Sequence, residues 1–216
     1  MKETGIRSVT GLLFAAVVLF SVVLSVWSNV LLWGVVALMG VAEWRRPSAQ
    51  KHLVPSLLFA ILMVGMTGVM LLLVWDSLHG FNPAPLLTFI ALIWTNDTGA
   101  YLVGKPLGKH KLMPRISPGK SWEGLMGGVV LAAVVSGLLM GWSSVWVGAL
   151  LGLTATAGDL VESAWKRRHH IKDSGALLPG HGGVLDRFDG FVFAAPLFLC
   201  LTHFVGFDFI LNSCFS

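Results

Sequence analysis

The sequence predicts an all-α fold, a polytopic membrane helix bundle of about seven transmembrane helices. Hydrophobic residues make up 55% of the 216 residues and charged residues 12%, whereas about a quarter of the residues in a soluble domain are charged. The mean hydropathy is +0.78. Apolar runs near the roughly 20 residues that a spanning helix needs recur along the chain. So few polar side chains could not cover a water-facing surface.

Each predicted span is one apolar run. The runs cover residues 9–27, 29–44, 53–75, 84–103, 122–141, 144–165 and 189–210. Lys2 and Arg7 precede the first run, but the run is long and lacks a small-residue cleavage site, which favours a transmembrane helix over a signal peptide. We divide the chain into helices 1–3 at residues 1–80 and a second region at residues 81–216. That second region contains two irregular loops, at 104–121 and 166–188, that carry most of the chemistry-capable side chains.

The basic residues predict the orientation. All 15 lysines and arginines fall into groups that share one side of the membrane if all seven runs span it. The charged residues on the other side are Asp76 and Asp208. Because cytoplasmic loops carry an excess of Lys and Arg, we expect the N-terminus and the basic loops to be cytoplasmic.

Two kinds of residue are interpreted as packing residues. Pairs of glycines four residues apart occur at Gly124/Gly128, Gly137/Gly141 and Gly148/Gly152. Such pairs let helix backbones approach closely. Cys200 and Cys214 have neither C-x-x-C nor zinc-ligand spacing, so we expect packing roles for them too.

Three of the acidic residues that fall inside apolar runs are candidate site residues. Asp97 lies in the fourth run, and Asp159 and Glu162 lie near the end of the sixth. A charge near the bilayer centre costs about 2.5–3.5 kcal/mol, so each is expected to have a function. Residues three, four and seven positions after Asp159 share its helical face, and these are Glu162, Ser163 and Lys166. A structural ion pair between Glu162 and Lys166 is the alternative interpretation.

The loop after the sixth run combines glycines, acids and bases. Its segments are Lys172-Asp173-Ser174-Gly175, Pro179-Gly180-His181-Gly182-Gly183 and Asp186-Arg187-Phe188-Asp189. Glycines can expose N–H groups to an anion, carboxylates can hold a hard cation, and Lys and Arg suit phosphate. This combination indicates a metal–polyphosphate site at the membrane surface. The alternative is a solvated loop that sets orientation, which applies best to Arg168, His169 and His170.

Other site types are disfavoured. His181 has no partner His or Cys at ligand spacing, which argues against zinc. The chain has no G-x-S-x-G nucleophile elbow and no P-loop lysine motif. A bound nucleotide is therefore expected to be held in another way.

The 27 residues from Ser163 to Asp189 resemble the signature of the phosphatidate cytidylyltransferase (CDP-diglyceride synthetase) family. The matching positions are Ser163, Lys166, Arg167, Lys172, Asp173, Gly175, Leu178, Pro179, His181, Gly182, Gly183, Val184, Asp186, Arg187, Phe188 and Asp189. Trp165 departs from the pattern, as a bulky apolar replacement. So many matching positions make the resemblance specific.

Three further segments resemble the same family. They are Asn96-Asp97-Thr98-Gly99-Ala100-Tyr101, Gly158-Asp159-Leu160-Val161-Glu162-Ser163 and Ser117-Pro118-Gly119-Lys120-Ser121-Trp122-Glu123-Gly124. In the last of these, Gly119 stands where the family commonly has Lys. The resemblance covers roughly residues 90–205, and the N-terminal part is generic.

The resemblance implies transfer of CMP from CTP to phosphatidate, with Mg²⁺ as cofactor and a second monovalent or divalent cation as an open alternative. It implies Asp159 and Asp186 as metal ligands. The residues implied in catalysis are Asp97, Asp159, Glu162, Lys166, Asp186 and Asp189. Those implied in substrate binding are Lys120, Ser163, Arg167, Lys172, Asp173, His181, Gly182, Gly183 and Arg187.

The expected partners are CTP, phosphatidate and the lipid bilayer, with no nucleic acid, and a homodimer is an open alternative. We expect an integral protein of a bacterial inner membrane with its active site at the cytoplasmic face. Competing hypotheses are a related CTP-dependent enzyme for another phosphorylated lipid, a lipid kinase, an inactive paralogue and an ion-coupled transporter. No inverted repeat with broken helices is visible in the sequence, which disfavours the transporter.

Overall fold

The computed structural model describes residues 2–48, 53–76, 80–175, 182–205 and 209, and within this part the chain is a helix bundle. The helices are α1 (Lys2–Leu24), α2 (Val26–Ser48), α3 (Leu53–Leu73), α4 (Ala84–Leu107), α5 (Trp122–Met140), α6 (Val145–Arg168) and α7 (Leu185–Val205). Each predicted apolar run coincides with one of them. The predicted all-α polytopic bundle is therefore confirmed.

Six stretches of the described chain are long and apolar enough to cross a membrane. They are Val26–Arg45, Ser56–Leu73, Ala84–Leu107, Trp122–Met140, Trp142–Arg168 and Leu185–Val205. In α1 the apolar part is shorter, Val9–Leu24. The second run, the shortest in the sequence, is thus among the candidate spans. The membrane orientation of the bundle stays a prediction.

The expectation of an irregular loop at 104–121 is wrong. Helix α4 continues to Leu107, and an antiparallel hairpin follows, formed by β3 (Lys111–Met113) and β4 (Ser117–Ser121). Pro106 is tolerated because it lies in the last turn of α4, and the amide of Gly108 still donates to the carbonyl of Gly104 at 3.0 Å. The hairpin carries Lys120 towards the bundle.

The second predicted loop, 166–188, is shorter than expected at both ends. Helix α6 continues to Arg168, and α7 begins at Leu185. Asp186 therefore lies in the first turn of α7 rather than in a loop. His181 lies outside the described residues. Between α3 and α4, β1 (Trp75–Asp76) pairs with β2 (Gly80–Phe81). Between α5 and α6, a 3₁₀ turn covers Trp142–Ser144.

Glycines bring the central helices close together, as the packing interpretation predicts. A Cβ at Gly128 would lie 2.6 Å from the Asn96 carbonyl oxygen of α4, and a Cβ at Gly124 would lie 3.1 Å from the Cα of Gly104. Gly141 is the exception among the predicted pairs. It has a φ of +86° and nothing within 4 Å of a Cβ, so it ends α5 rather than packing a helix.

The packing interpretation of Cys200 is also wrong. This side chain is exposed on the outside of the bundle, whereas Cys214 lies outside the described residues. An exposed position on a membrane helix borders lipid rather than the protein interior.

Aromatic side chains of α7 fill the centre of the bundle. Phe188, Phe191 and Phe198 are buried. The ring of Phe188 lies 5.5 Å from that of Trp33, and the ring of Phe191 lies 5.2 Å from that of Phe89. These edge-to-face contacts fix α7 against α2 and α4. The start of α7, with its acidic residues, is consequently held at one end of the bundle.

Candidate active site

Asp159 of α6 meets side chains from two directions. Its Oδ2 pairs with Nζ of Lys120 on β4 at 2.5 Å, and its Oδ1 accepts a hydrogen bond from Oγ of Ser163 at 3.1 Å. Ser163 lies four residues after Asp159 on the same helical face, as the sequence predicts. The Lys120 pair fixes the hairpin against α6.

Lys166 lies between two carboxylates. Its Nζ is 2.7 Å from Oε2 of Glu162, one helical turn earlier, and 2.7 Å from Oδ1 of Asp186 on α7. All three side chains are largely buried. The ion pair between Glu162 and Lys166 is therefore present, but it is one half of a bridge between α6 and α7.

Backbone amides complete the surroundings of Asp186. Its Oδ2 accepts hydrogen bonds from the amides of Ser174 at 3.0 Å and Gly183 at 2.8 Å. Gly182 has a φ of +80°, and a Cβ there would lie 2.6 Å from Oδ2 of Asp186. Gly182 is thus required by its backbone conformation and by the closeness of Asp186.

Asp159, Glu162 and Asp189 form a three-carboxylate group. One oxygen from each lies within 4.8 Å of the others. Oε1 of Glu162 is buried and has no hydrogen-bond partner in the part of the chain described here. A buried carboxylate oxygen left in this state needs a cation or a proton donor. We call these residues the carboxylate triad.

Close packing of α6 on α7 assembles the triad. A Cβ at Gly158 would lie 2.8 Å from the Asp189 carbonyl oxygen, and one at Gly190 would lie 3.3 Å from Cβ of Ala155. These two glycines are the immediate neighbours of Asp159 and Asp189 in the sequence. Their lack of side chains lets the two carboxylates meet.

Two cavities adjoin the triad. The larger, about 550 Å³, lies among α4, α5, α6 and the hairpin, and its wall includes Lys120 and Tyr101. The smaller, about 440 Å³, lies between α1 and the start of α7 and includes Arg187. Asp97, Asp159 and Asp189 line both cavities. These acids therefore stand where molecules in the two cavities would meet.

The remaining predicted site residues have different surroundings in the structure. Arg167 donates from Nε to the carbonyl of Ile116 and from Nη1 to that of Ile171, both at 3.2 Å, so it supports the hairpin. Lys172 and Asp173 are exposed beyond the end of α6. Asp159 and Asp186 were predicted as metal ligands. Among the described residues, the group of carboxylates close enough to hold one ion consists of Asp159, Glu162 and Asp189.

Sequence reasoning missed two buried polar residues. Asn96 lines the larger cavity, and its Oδ1 lies 2.7 Å from where a Cβ of Gly128 or Gly152 would be. Glu43 of α2 is buried and contacts the segment that precedes α7. Both are polar residues inside apolar runs, and this feature of the sequence could have identified them as candidate site residues.

Comparisons with known proteins identify the family. The model of the cytidylyltransferase family matches residues 57–205. A phosphatidate cytidylyltransferase of Staphylococcus aureus (strain COL) is 48% identical over 114 residues, which cover 49% of this chain and 44% of that protein. The one of Bacillus subtilis (strain 168) is 47% identical over 122 residues, covering 52% and 45%.

A more extended match is found in Staphylococcus saprophyticus. Its phosphatidate cytidylyltransferase is 38% identical over 147 residues, which cover 64% of this chain and 56% of that protein. The chain spans about half the length of the curated relatives it matches. The matched family range includes the triad, Lys120, Lys166 and the start of α7.

Proposed function

The chain belongs to the cytidylyltransferase family, and on that premise we propose that it transfers CMP from CTP to phosphatidate, producing CDP-diacylglycerol and pyrophosphate. One observation carries the proposal. The carboxylate triad and two lysines, Lys120 and Lys166, converge beside a cavity of about 550 Å³. Carboxylates for a metal next to cations for phosphate are what a nucleotidyl transfer requires.

The proposed reaction exchanges one phosphoanhydride bond for another. A phosphate oxygen of phosphatidate attacks the α-phosphorus of CTP, and the bond between the α-phosphorus and the bridging oxygen to the β-phosphorus breaks. Pyrophosphate leaves with that electron pair. Because the lipid phosphate is already anionic at neutral pH, no general base is required. The barrier is the approach of two negatively charged groups.

Fixed cations lower that electrostatic barrier. Lys120 reaches into the larger cavity from the hairpin, where it would lie beside a triphosphate. Arg187 lines the smaller cavity, where it suits the phosphate of a lipid that enters along α1. We assign CTP to the larger cavity and the phosphatidate headgroup to the smaller one. Asp97, which lines both, then adjoins the reacting phosphates.

The triad fits a magnesium ion. Its donors are hard carboxylate oxygens, and Oε1 of Glu162 has no hydrogen-bond partner in the described segments. Asp159, Glu162 and Asp189 would hold the metal, and Asp186 would fix Lys166. When bound, Mg²⁺ neutralises phosphate charge and orients the triphosphate. A second cation stays a prediction from the sequence.

We place the protein in a bacterial inner membrane with both cavities open towards the cytoplasmic face. The one-sided distribution of its basic residues supports this orientation, and CTP is available on that side. A homodimer stays an open alternative. The proposal involves no nucleic acid.

The test is formation of CDP-lipid from labelled CTP and phosphatidate by the purified protein, with and without Mg²⁺. We expect magnesium-dependent product. Asp159→Asn and Asp189→Asn should each reduce the rate by about 100-fold or more, because each removes a carboxylate from the metal site. Thr154→Val is the matched control on α6, since Thr154 lines neither cavity and its hydroxyl donates to the carbonyl of Leu150 within the same helix.

Each other outcome selects a competing hypothesis. Product from a different phosphorylated lipid but not from phosphatidate would redirect the assignment within CTP-dependent enzymes. A phosphorylated lipid formed with release of CDP would indicate a lipid kinase. Folded protein that binds no CTP and moves ions across vesicles would establish the transporter instead.

A further inference from the structure

Glu43 is a buried acid with an unusual set of partners. It lies near the end of α2 and is 4% exposed. Its Oε1 accepts a hydrogen bond from the amide of Val184 at 3.0 Å, and its Oε2 accepts from the amide of Leu185 at 2.9 Å. Glu43 lies outside the residues that the family model matches.

The two amides belong to the beginning of α7. Helix N-terminal amides have no acceptor within their own helix and carry a partial positive charge. The carboxylate of Glu43 satisfies two of them from another helix. Glu43 thereby caps the N-terminus of α7. The second of the two amides, that of Leu185, directly precedes Asp186 in the first turn.

Ser174 ties the same carboxylate to Asp186. Its Oγ donates to Oε2 of Glu43 at 2.9 Å, while its amide donates to Oδ2 of Asp186 at 3.0 Å. Gly175 and Gly183 leave room for this arrangement. A Cβ at Gly175 would lie 2.8 Å from the Glu43 carboxylate carbon, and one at Gly183 would lie 2.7 Å from it.

We propose that Glu43 is a positioning residue for the active site, an inference that rests on the proposed function. Through the amides of Val184 and Leu185 it fixes the first turn of α7. This turn holds Asp186 on Lys166, and the next turn places Asp189 in the carboxylate triad. Glu43 lines neither of the two triad cavities, so it acts without touching substrate.

The experiment compares Glu43→Gln with wild type in the full chain, reconstituted in lipid nanodiscs. The replacement keeps the volume but turns an amide NH₂ towards backbone donors. We expect kcat to fall about 10–100-fold, as for other groups that orient a metal ligand. KM for CTP should stay within about threefold, because the substrate contacts remain. Backbone amide exchange over 182–189 should accelerate.

Asn29→Ala is the matched control for loss of stability alone. Asn29 is also buried in α2, but its amide group donates to carbonyls of Val22 and Ser25 near the α1–α2 turn. We expect it to lower the thermal midpoint while leaving kcat unchanged. Equal kcat losses in Glu43→Gln and in the control, at equal thermal midpoints, would overturn the proposal.

Two further arms keep the test decisive. Ser174→Ala removes one partner of Glu43 and serves as the test variant if Glu43→Gln does not fold. We expect a smaller fall in kcat than for Glu43→Gln and an unchanged KM. Unchanged kcat in that variant would then count against the proposal. Amide exchange needs no turnover. If wild-type protein makes no CDP-lipid, the proposed function fails, and exchange over 182–189 still decides whether Glu43 fixes α7.

Discussion

Lys166 is the residue on which the acidic groups of α6 and α7 depend. It shares its charge between Glu162 and Asp186, each at 2.7 Å, in a largely buried setting. Removing one partner of a buried ionic group costs much more than the net gain from forming it, since the other charges stay buried without compensation. The same ammonium holds Asp186, whose other carboxylate oxygen accepts a hydrogen bond from the amide of Gly183.

We therefore expect Lys166→Met to destabilise the protein by about 3–5 kcal/mol and to abolish turnover. Arg168→Met, two residues further on at the exposed end of α6, should change stability by less than about 0.5 kcal/mol. Unfolding of both variants in mixed micelles, followed by circular dichroism, measures the difference. Equal stability of the two would show that the bridge contributes nothing.

At the scale of secondary-structure elements, the hairpin β3–β4 positions one cationic side chain of the site. The amide of Trp122 donates to the carbonyl of His110 at 2.9 Å, and Nδ1 of His110 lies 2.6 Å from Oε1 of Glu123. These bonds fasten the hairpin to the start of α5. Its last strand then delivers Lys120 to Asp159 and to the larger cavity.

Lys120→Met should raise KM for CTP by about tenfold or more, because a charge-assisted contact contributes about 1.5–3 kcal/mol. Lys109→Met, an exposed position just before β3, is the matched control, with a change of at most about twofold expected. Initial rates over a range of CTP concentrations give both values. A KM for Lys120→Met equal to that of the control would remove the hairpin from nucleotide binding.

At the scale of the whole molecule, the bundle divides its loops between two ends. The hairpin β3–β4 and the connection from α6 to α7 lie at the end that carries the site, because Arg167 and Lys120 link them. The connections from α3 to α4 and from α5 to α6 belong to the other end, since successive spanning helices alternate in direction. The basic residues predict which end faces the cytoplasm.

This orientation can be measured with single cysteines introduced after Cys200→Ser and Cys214→Ser. In spheroplasts, a membrane-impermeant maleimide should label Ser143→Cys, in the connection between α5 and α6, without permeabilisation. Lys111→Cys on β3 should be labelled only after permeabilisation, because the basic end is expected inside. The reverse pattern would overturn the predicted orientation and the cytoplasmic placement of the site.

Much of the fold follows from local features of the sequence. Apolar runs located the seven helices of the described residues, because a helix in lipid satisfies its own backbone and needs no distant partner. Helical periodicity likewise placed Ser163 beside Asp159 and Lys166 beside Glu162. The hairpin at 111–121 was missed because Pro and Gly indicate a break in a helix without specifying what replaces it.

The sequence by itself determined the fold class and the helices, and it supplied the candidate site residues, because each of these depends on neighbours within a few turns. Only the tertiary structure decided how the acids divide between the triad and the Lys166 bridge. That division depends on how closely α6 and α7 pack at Gly158 and Gly190. It also showed that Glu43 holds Ser174, 131 residues away in the chain, a contact that no local pattern encodes.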